Sequence, residues 1–203
     1  MLSLYNVIII MIDGGRYDRS INSDFYKKLK EKSSFFSQPI TYAPHTIAAM
    51  HAVFSGCYGV RTGTDSYWST YKFKKNQFKT ITEYLHDQNY YTSADIVSEI
   101  VIPKQGFDEF QIHDEEKDDL TLRHLELIEK TYANNKNKNF FLYLQFSDIH
   151  TGISNEVLQV YDNFSEEYFQ NKKLNEKRYD KLFKKSEFYL DKILEKINSL
   201  GLE

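Results

Sequence analysis

Apolar positions along this chain follow two rhythms, and each predicts a different kind of element. Val7 to Ile12 is a run of β-branched and apolar residues, and Phe140 to Phe146 is a second apolar run broken only by Gln145. Neither alternates between apolar and polar, so each predicts a strand covered on both faces by helices, the mark of a parallel sheet. The first run stops at Asp13, Gly14 and Gly15, and the second at Ser147, Asp148, Ile149 and His150. In open α/β sheets the ligand crevice lies beyond the carboxyl ends of the strands. The two polar corners are therefore predicted to converge on one rim.

The other rhythm is a step of three or four residues. Asp24 to Lys32, Thr46 to Ser55 closed by Gly56, and Thr80 to Gln88 read as helices, the last followed by a strand near Thr92 to Val97. Leu120 to Ala133 carries apolar side chains at Leu120, Leu125, Leu127, Ile128 and Tyr132, and a polar loop from Asn134 to Asn139 leads into the second apolar run. That is one crossover of the kind parallel strands require. Tyr179, Leu182, Phe183, Ser186, Leu190, Ile193, Ile197 and Leu200 form an amphipathic stripe ending at Gly201. Asn155 to Lys177 is polar and irregular, and reads as an active-site loop or a surface excursion.

The fold class that follows is α/β, a mostly parallel central sheet with helices on both faces, in one domain over residues 1–203. A helix ending Leu200-Gly201-Leu202 usually leads into another strand, so the sheet is expected to be incomplete at its C-terminal end.

Composition narrows the function. With 41% hydrophobic and 16% aromatic residues the chain is not disordered. The net charge of −3 and the interleaving of lysines with acidic residues give no phosphate-tracking stripe, which argues against a nucleic-acid partner. A single cysteine, Cys57, excludes an internal disulfide and points to the cytoplasm. The first apolar run is too short for a signal peptide or a membrane span, so neither is expected.

The chemistry lies at the strand ends and one helix start. Asp13, with two glycines behind it, suits either a hard-cation ligand or a turn and cap aspartate. In Tyr42 to Gly56, Pro44 suits a helix start and Ala48, Ala49 and Ala52 allow close packing. Thr46 then stands at a helix N-terminus, where unpaired N–H groups favour an anionic ester beside its hydroxyl. A metal on that hydroxyl would favour the alkoxide and make threonine a nucleophile; an ordinary N-cap is the structural alternative.

These segments resemble the sulfatase branch of the alkaline-phosphatase superfamily. Asn6 to Asp13, with Arg16 and Asp18, is similar to the family's opening strand and metal aspartate. Thr46 to Gly56, continued by Tyr58 to Gly63, resembles its nucleophile helix, and Ile81 to Tyr91 with Gly106 to Phe110 resembles its next helix and turn. Phe140 to His150 is similar to the strand that ends in its D-x-H motif. Tyr179 to Leu202 resembles the helix that precedes the family's second metal motif, an Asp-His or Asp-Asn pair at the end of the family's next strand, and Glu203 falls just short of that motif.

The resemblance spans nearly the whole chain but only the first part of the family's catalytic domain. It implies a divalent metal cation (Ca, Zn, Mn or Mg) held by Asp13 and Thr46, Thr46 as covalent nucleophile, and His150 in contact with the transferred group. The chain departs from the family in three places. The formylglycine motif C/S-x-P-x-R is replaced by Thr46, Ala48 and Met50, and Cys57 lies outside that frame, which favours phosphoryl or phospho-substituent transfer. Gly14 and Gly15 stand where many sulfatases have a second metal aspartate. No Lys-x-His pair occurs around Val97 to Val101.

Around this core, His45 is a candidate base or phosphate contact, while His51 is better read as packed in its helix. Asp148 either steadies His150 or caps its turn. Arg16 and Arg61 are candidate anion contacts, with surface ion pairs as the plainer role. Tyr67 and Trp68 are a candidate substrate wall. The expected function is metal-dependent hydrolysis or transfer of sulfate or phosphate esters, small-molecule or glycan. A truncated or non-catalytic domain acting through another chain is the second reading. A nucleotide-binding domain is a distant third, because no Gly-rich phosphate motif follows the first strand.

Overall fold

The computed structural model describes residues 5–158 and 165–202. The chain forms two compact units. The first comprises residues up to Ile10, Gln38–Asp114 and Glu126–Leu144, and the second Met11–Ser37, Glu115–Leu125 and the chain from Gln145 onward.

Most of the sheet belongs to the first unit. Strands β1 (Val7–Ile12), β2 (Tyr91–Ile96), β3 (Glu109–Ile112) and β4 (Phe140–Phe146) are ordered β1-β4-β2-β3 and all run parallel, as the two non-alternating apolar runs predicted. Ala94 of β2 lies opposite Tyr143 of β4 on one side and Phe110 of β3 on the other. Every residue of β4 is buried.

β1 departs from expectation: all six of its residues are only half-buried. It stands at one end of the four-stranded order, and a strand in that position loses cover whatever its composition. β3 was not foreseen. It is four residues long and follows directly on the turn at Gly106, too short for a periodic signal.

Helix α3 (Thr46–Ser55) packs on the sheet through Phe54, whose ring lies 5.3 Å from that of Tyr143 and 6.3 Å from that of Phe141. A short α4 (Gly59–Thr62) follows. α5 (Ile81–Asp87) begins with a capping box: Thr80 Oγ1 accepts from the Glu83 N–H, and the Glu83 carboxylate accepts from the Thr80 N–H. α6 (Leu120–Asn134) buries Leu127 and Ile128.

In the second unit α1 (Tyr17–Ser20) and α2 (Asp24–Glu31) follow β1, and α7 (Asp148–Ile153) follows β4. α8 (Glu166–Gln170) precedes α9 (Lys172–Ser199), which buries Tyr179, Leu182, Phe183, Tyr189, Leu190 and Ile193. Phe146 stacks on Tyr189 with ring centres 4.3 Å apart.

The stripe of apolar residues marked α9 only from Tyr179, yet the helix begins at Lys172. Lysine, glutamate and arginine are strong helix formers, so a helix can run ahead of its buried face. α8, capped by Ser165, likewise occupies part of the segment read as irregular; residues 159–164 of that segment lie outside the described residues. Among the described residues no helix is long and apolar enough to cross a membrane.

Candidate active site

The two polar corners at the ends of β1 and β4 both belong to the second unit. The Asp13 N–H donates to the Phe146 carbonyl at 3.0 Å, one residue beyond the end of β1. Gly14 takes a φ of +78°, and a side chain there would meet Ile149 Cγ2 at 3.1 Å and the His150 backbone nitrogen at 3.3 Å. A left-handed turn without a side chain therefore seats Asp13 against the first turn of α7, which carries Asp148 and the exposed His150.

Asp13 is half-buried, and its Oδ2 accepts a hydrogen bond from Gln145 Nε2 at 3.1 Å. Gln145 is fully buried and was not singled out from sequence. The available signal was a lone amide in an apolar strand, which must find a partner when buried. A carboxylate oriented by an amide is the kind of hard-oxygen donor that divalent cations take, so Asp13 fits the metal role.

Arg16 is committed elsewhere. It grips Asp18 with two hydrogen bonds of 2.9 and 2.7 Å, and its guanidinium lies 5.2 Å from the centre of the Tyr179 ring. Asp18 also accepts from Arg19, which reaches Asp180 at 2.7 Å. The hydrogen bonds that Arg16 donates to Asp18 raise the Arg16 pKa and lower that of Asp18, so this exposed pair is fixed as ions.

Thr46 and His45 belong to the first unit. The residue that caps α3 is His45, whose Nδ1 accepts from the Ala48 N–H at 3.4 Å; Thr46 is the first helical residue and half-buried. This corrects the N-cap alternative for Thr46. It also changes the role open to His45: with Nδ1 used as an acceptor, the neutral ring carries its proton on Nε2 and presents a donor. The ring meets Tyr67 edge-on at 5.3 Å, while the Trp68 side chain lies outside what is described. Arg61 is exposed on α4 and lies 5.8 Å from the Phe78 ring centre.

His51, farther along α3, is 3% exposed and donates from Nε2 to the Ile100 carbonyl at 3.2 Å, which fits packing rather than catalysis. Burial pushes its pKa down, the Ile100 bond acting weakly the other way. The unfolded chain protonates this imidazole near pH 6.5 and the folded one only at lower pH. Stability is therefore expected to fall as the pH drops below about 6.5, at up to about 1.4 kcal/mol per pH unit until the folded ring itself titrates. In urea denaturation at stepped pH, His51→Phe should flatten that slope; an unchanged slope would exclude His51 as its source.

Two further buried polar pairs went unnoticed in the sequence. In the first unit, Asp95 of β2 and His113, just after β3, have fully buried side chains 2.6 Å apart. A carboxylate inside a predicted strand was the available clue, since a buried charge requires a partner. In the second unit, buried His124 shares a hydrogen bond of 2.7 Å with Tyr189 Oη.

The fold and its strand-end corners define an alkaline-phosphatase-like α/β class. The sulfatase family model matches residues 5–203, and the chain belongs to that family. Members of this family are ester-modifying enzymes and are generally metal-dependent.

Among solved structures, the lipoteichoic acid synthase LtaP from Listeria monocytogenes aligns over 98% of this chain and 53% of its own, with a TM-score of 0.67 and 15% identity. The C-terminal periplasmic domain of phosphoethanolamine transferase EptC from Campylobacter jejuni aligns over 98% of this chain and 66% of its own, at 0.60 and 12%. BT4656, solved with its substrate D-glucosamine-2-N,6-O-disulfate, aligns over 70% of this chain and 34% of its own, at 0.57 and 15%. The chain thus spans between about a third and two thirds of the length of these structures, and at such identities the likeness establishes the fold. No curated protein matches the sequence.

Proposed function

We propose that this chain contributes the nucleophile and first metal ligand of a metal-dependent hydrolase or transferase of sulfate or phosphate esters. The observation that carries the reading is the Asp13 carboxylate, held by the buried Gln145 amide against the turn that bears His150. Family membership supports it, and so does Thr46 at the first position of α3.

Asp13 and Thr46 would hold the cation through hard oxygen atoms, with water or substrate completing its shell. When bound, the cation lowers the pKa of an attached hydroxyl and neutralises ester charge. Thr46 Oγ1 attacks phosphorus or sulfur, the bond to the leaving alcohol breaks, and the alcohol takes up a proton. Water or a second alcohol then displaces Thr46, which recovers its hydroxyl.

His45 donates from Nε2 to an anionic oxygen, His150 contacts the transferred group, and Arg61 adds an exposed cation. Threonine in place of a formylglycine precursor favours phosphoryl or phospho-substituent transfer. Small-molecule and glycan esters are the substrate classes; a cytoplasmic setting rests on the single thiol Cys57, which forms no disulfide.

Calorimetric titration with Mg, Mn, Ca and Zn tests the reading, on this chain and on the longest reading frame containing it. At least one cation should bind at micromolar or tighter affinity, weakened about 10- to 100-fold by Gln145→Leu and more by Asp13→Asn. Absence of binding in both forms would leave the non-catalytic reading.

A further inference from the structure

We propose that a cavity in the second unit takes the apolar alcohol portion of the ester, so that the substrate carries an alkyl, acyl or aryl group rather than a bare sugar. This rests on the active-site reading given above. The cavity has a volume of about 510 Å³ and abuts Gly14, the residue next to Asp13. Gly14 follows Asp13 directly in the chain, so the cavity lies beside the residue that would hold the cation. The volume falls within the roughly 300–1,000 Å³ usual for small-molecule sites.

One wall is the Tyr179 ring. The ring is 6% exposed and fixed at both ends: its hydroxyl donates to the Gly14 carbonyl at 2.9 Å, and Arg16 lies over its face. Ile153, Tyr168 and Phe169 supply further apolar lining. Phe169 is 65% exposed although it sits on this cavity, a large apolar surface that an apolar ligand would cover.

The polar side chain at the base gives a sugar little to bind. Asn175, 7% exposed, already donates to the Tyr168 carbonyl at 3.1 Å and accepts from Arg178 at 3.2 Å. Lys172 and Glu176 also line the cavity and are the charged groups left for a substrate's polar end.

The test is a chain-length series of methyl, butyl, hexyl and octyl phosphate bound to the full chain, followed by calorimetry with and without Mg. Affinity should rise roughly fourfold for each added methylene, and octyl phosphate should bind far more tightly than glucose 6-phosphate. Phe169→Ser, at an exposed position where refolding is not at risk, should weaken octyl phosphate at least about fivefold and leave methyl phosphate unchanged. Affinity independent of chain length, or a slope that Phe169→Ser does not alter, would overturn the proposal. A slope that Phe169→Ser reduces supports the cavity even where Asp13→Asn leaves metal binding intact, the result that removes the active-site reading instead.

Discussion

Thr46→Ala is expected to lower turnover of an aryl phosphate or sulfate by at least about 10³-fold while leaving the fold unchanged, because the covalent path needs that oxygen. The usual objection to such a substitution, that it strips a helix of its cap, does not apply here: the α3 cap is His45, not Thr46. Alanine is also the better helix former by a few tenths of a kcal/mol. Thermal unfolding should therefore be close to the parent's, so that any loss of rate is chemical. Thr46→Ser keeps a hydroxyl and should retain measurable turnover. Steady-state kinetics on the longest active polypeptide decides the matter: an alanine variant within about tenfold of the parent would remove Thr46 from the nucleophile role.

The second large effect is on stability. Gly106→Ala is expected to destabilise the chain by about 3 kcal/mol or more, an exceptional value for a single methyl group. Gly106 has a φ of +79°, and an added Cβ would lie 2.4 Å from the Glu83 nitrogen and 2.6 Å from the Thr82 carbonyl carbon. Those are backbone atoms at the start of α5, inside a capping box, and they have no rotamer to yield. The same glycine's carbonyl accepts from Thr92 Oγ1 at 2.6 Å, so a shift of the turn would also strain the first residues of β2. Differential scanning calorimetry should show a fall in Tm of roughly 6–12 °C. A change under about 2 °C would mean that the turn adapts more freely than its contacts suggest.

The parts of the fold legible in the sequence were those with a sustained pattern. β4 is an apolar run broken only by Gln145, α3 ends at a glycine with a positive φ, and the stripe of α9 is buried from Tyr179 to Ile193, with Ile197 and Leu200 half-buried. The place of Asp13 was legible too, because the apolar run of β1 stops immediately before it. What escaped notice depends on partners distant in sequence. Gln145 is 132 residues from Asp13, and nothing local announces their bond. Asp95 and His113 are an ordinary strand acid and a loop imidazole until β3 pairs with β2. The His45 cap escaped for the opposite reason: Thr46 is by far the commoner capping type, and local geometry overrode that preference.

The half-buried state of β1 bears on how the chain behaves at high concentration. A terminal strand of six β-branched and apolar residues, with no lysine or proline to blunt it, offers its amide row as a template for a foreign strand. Unless something covers that row, self-association should begin there, and a lysine placed at Ile8 or Ile10 should raise the solubility limit more than the same change anywhere on the solvated face of α9.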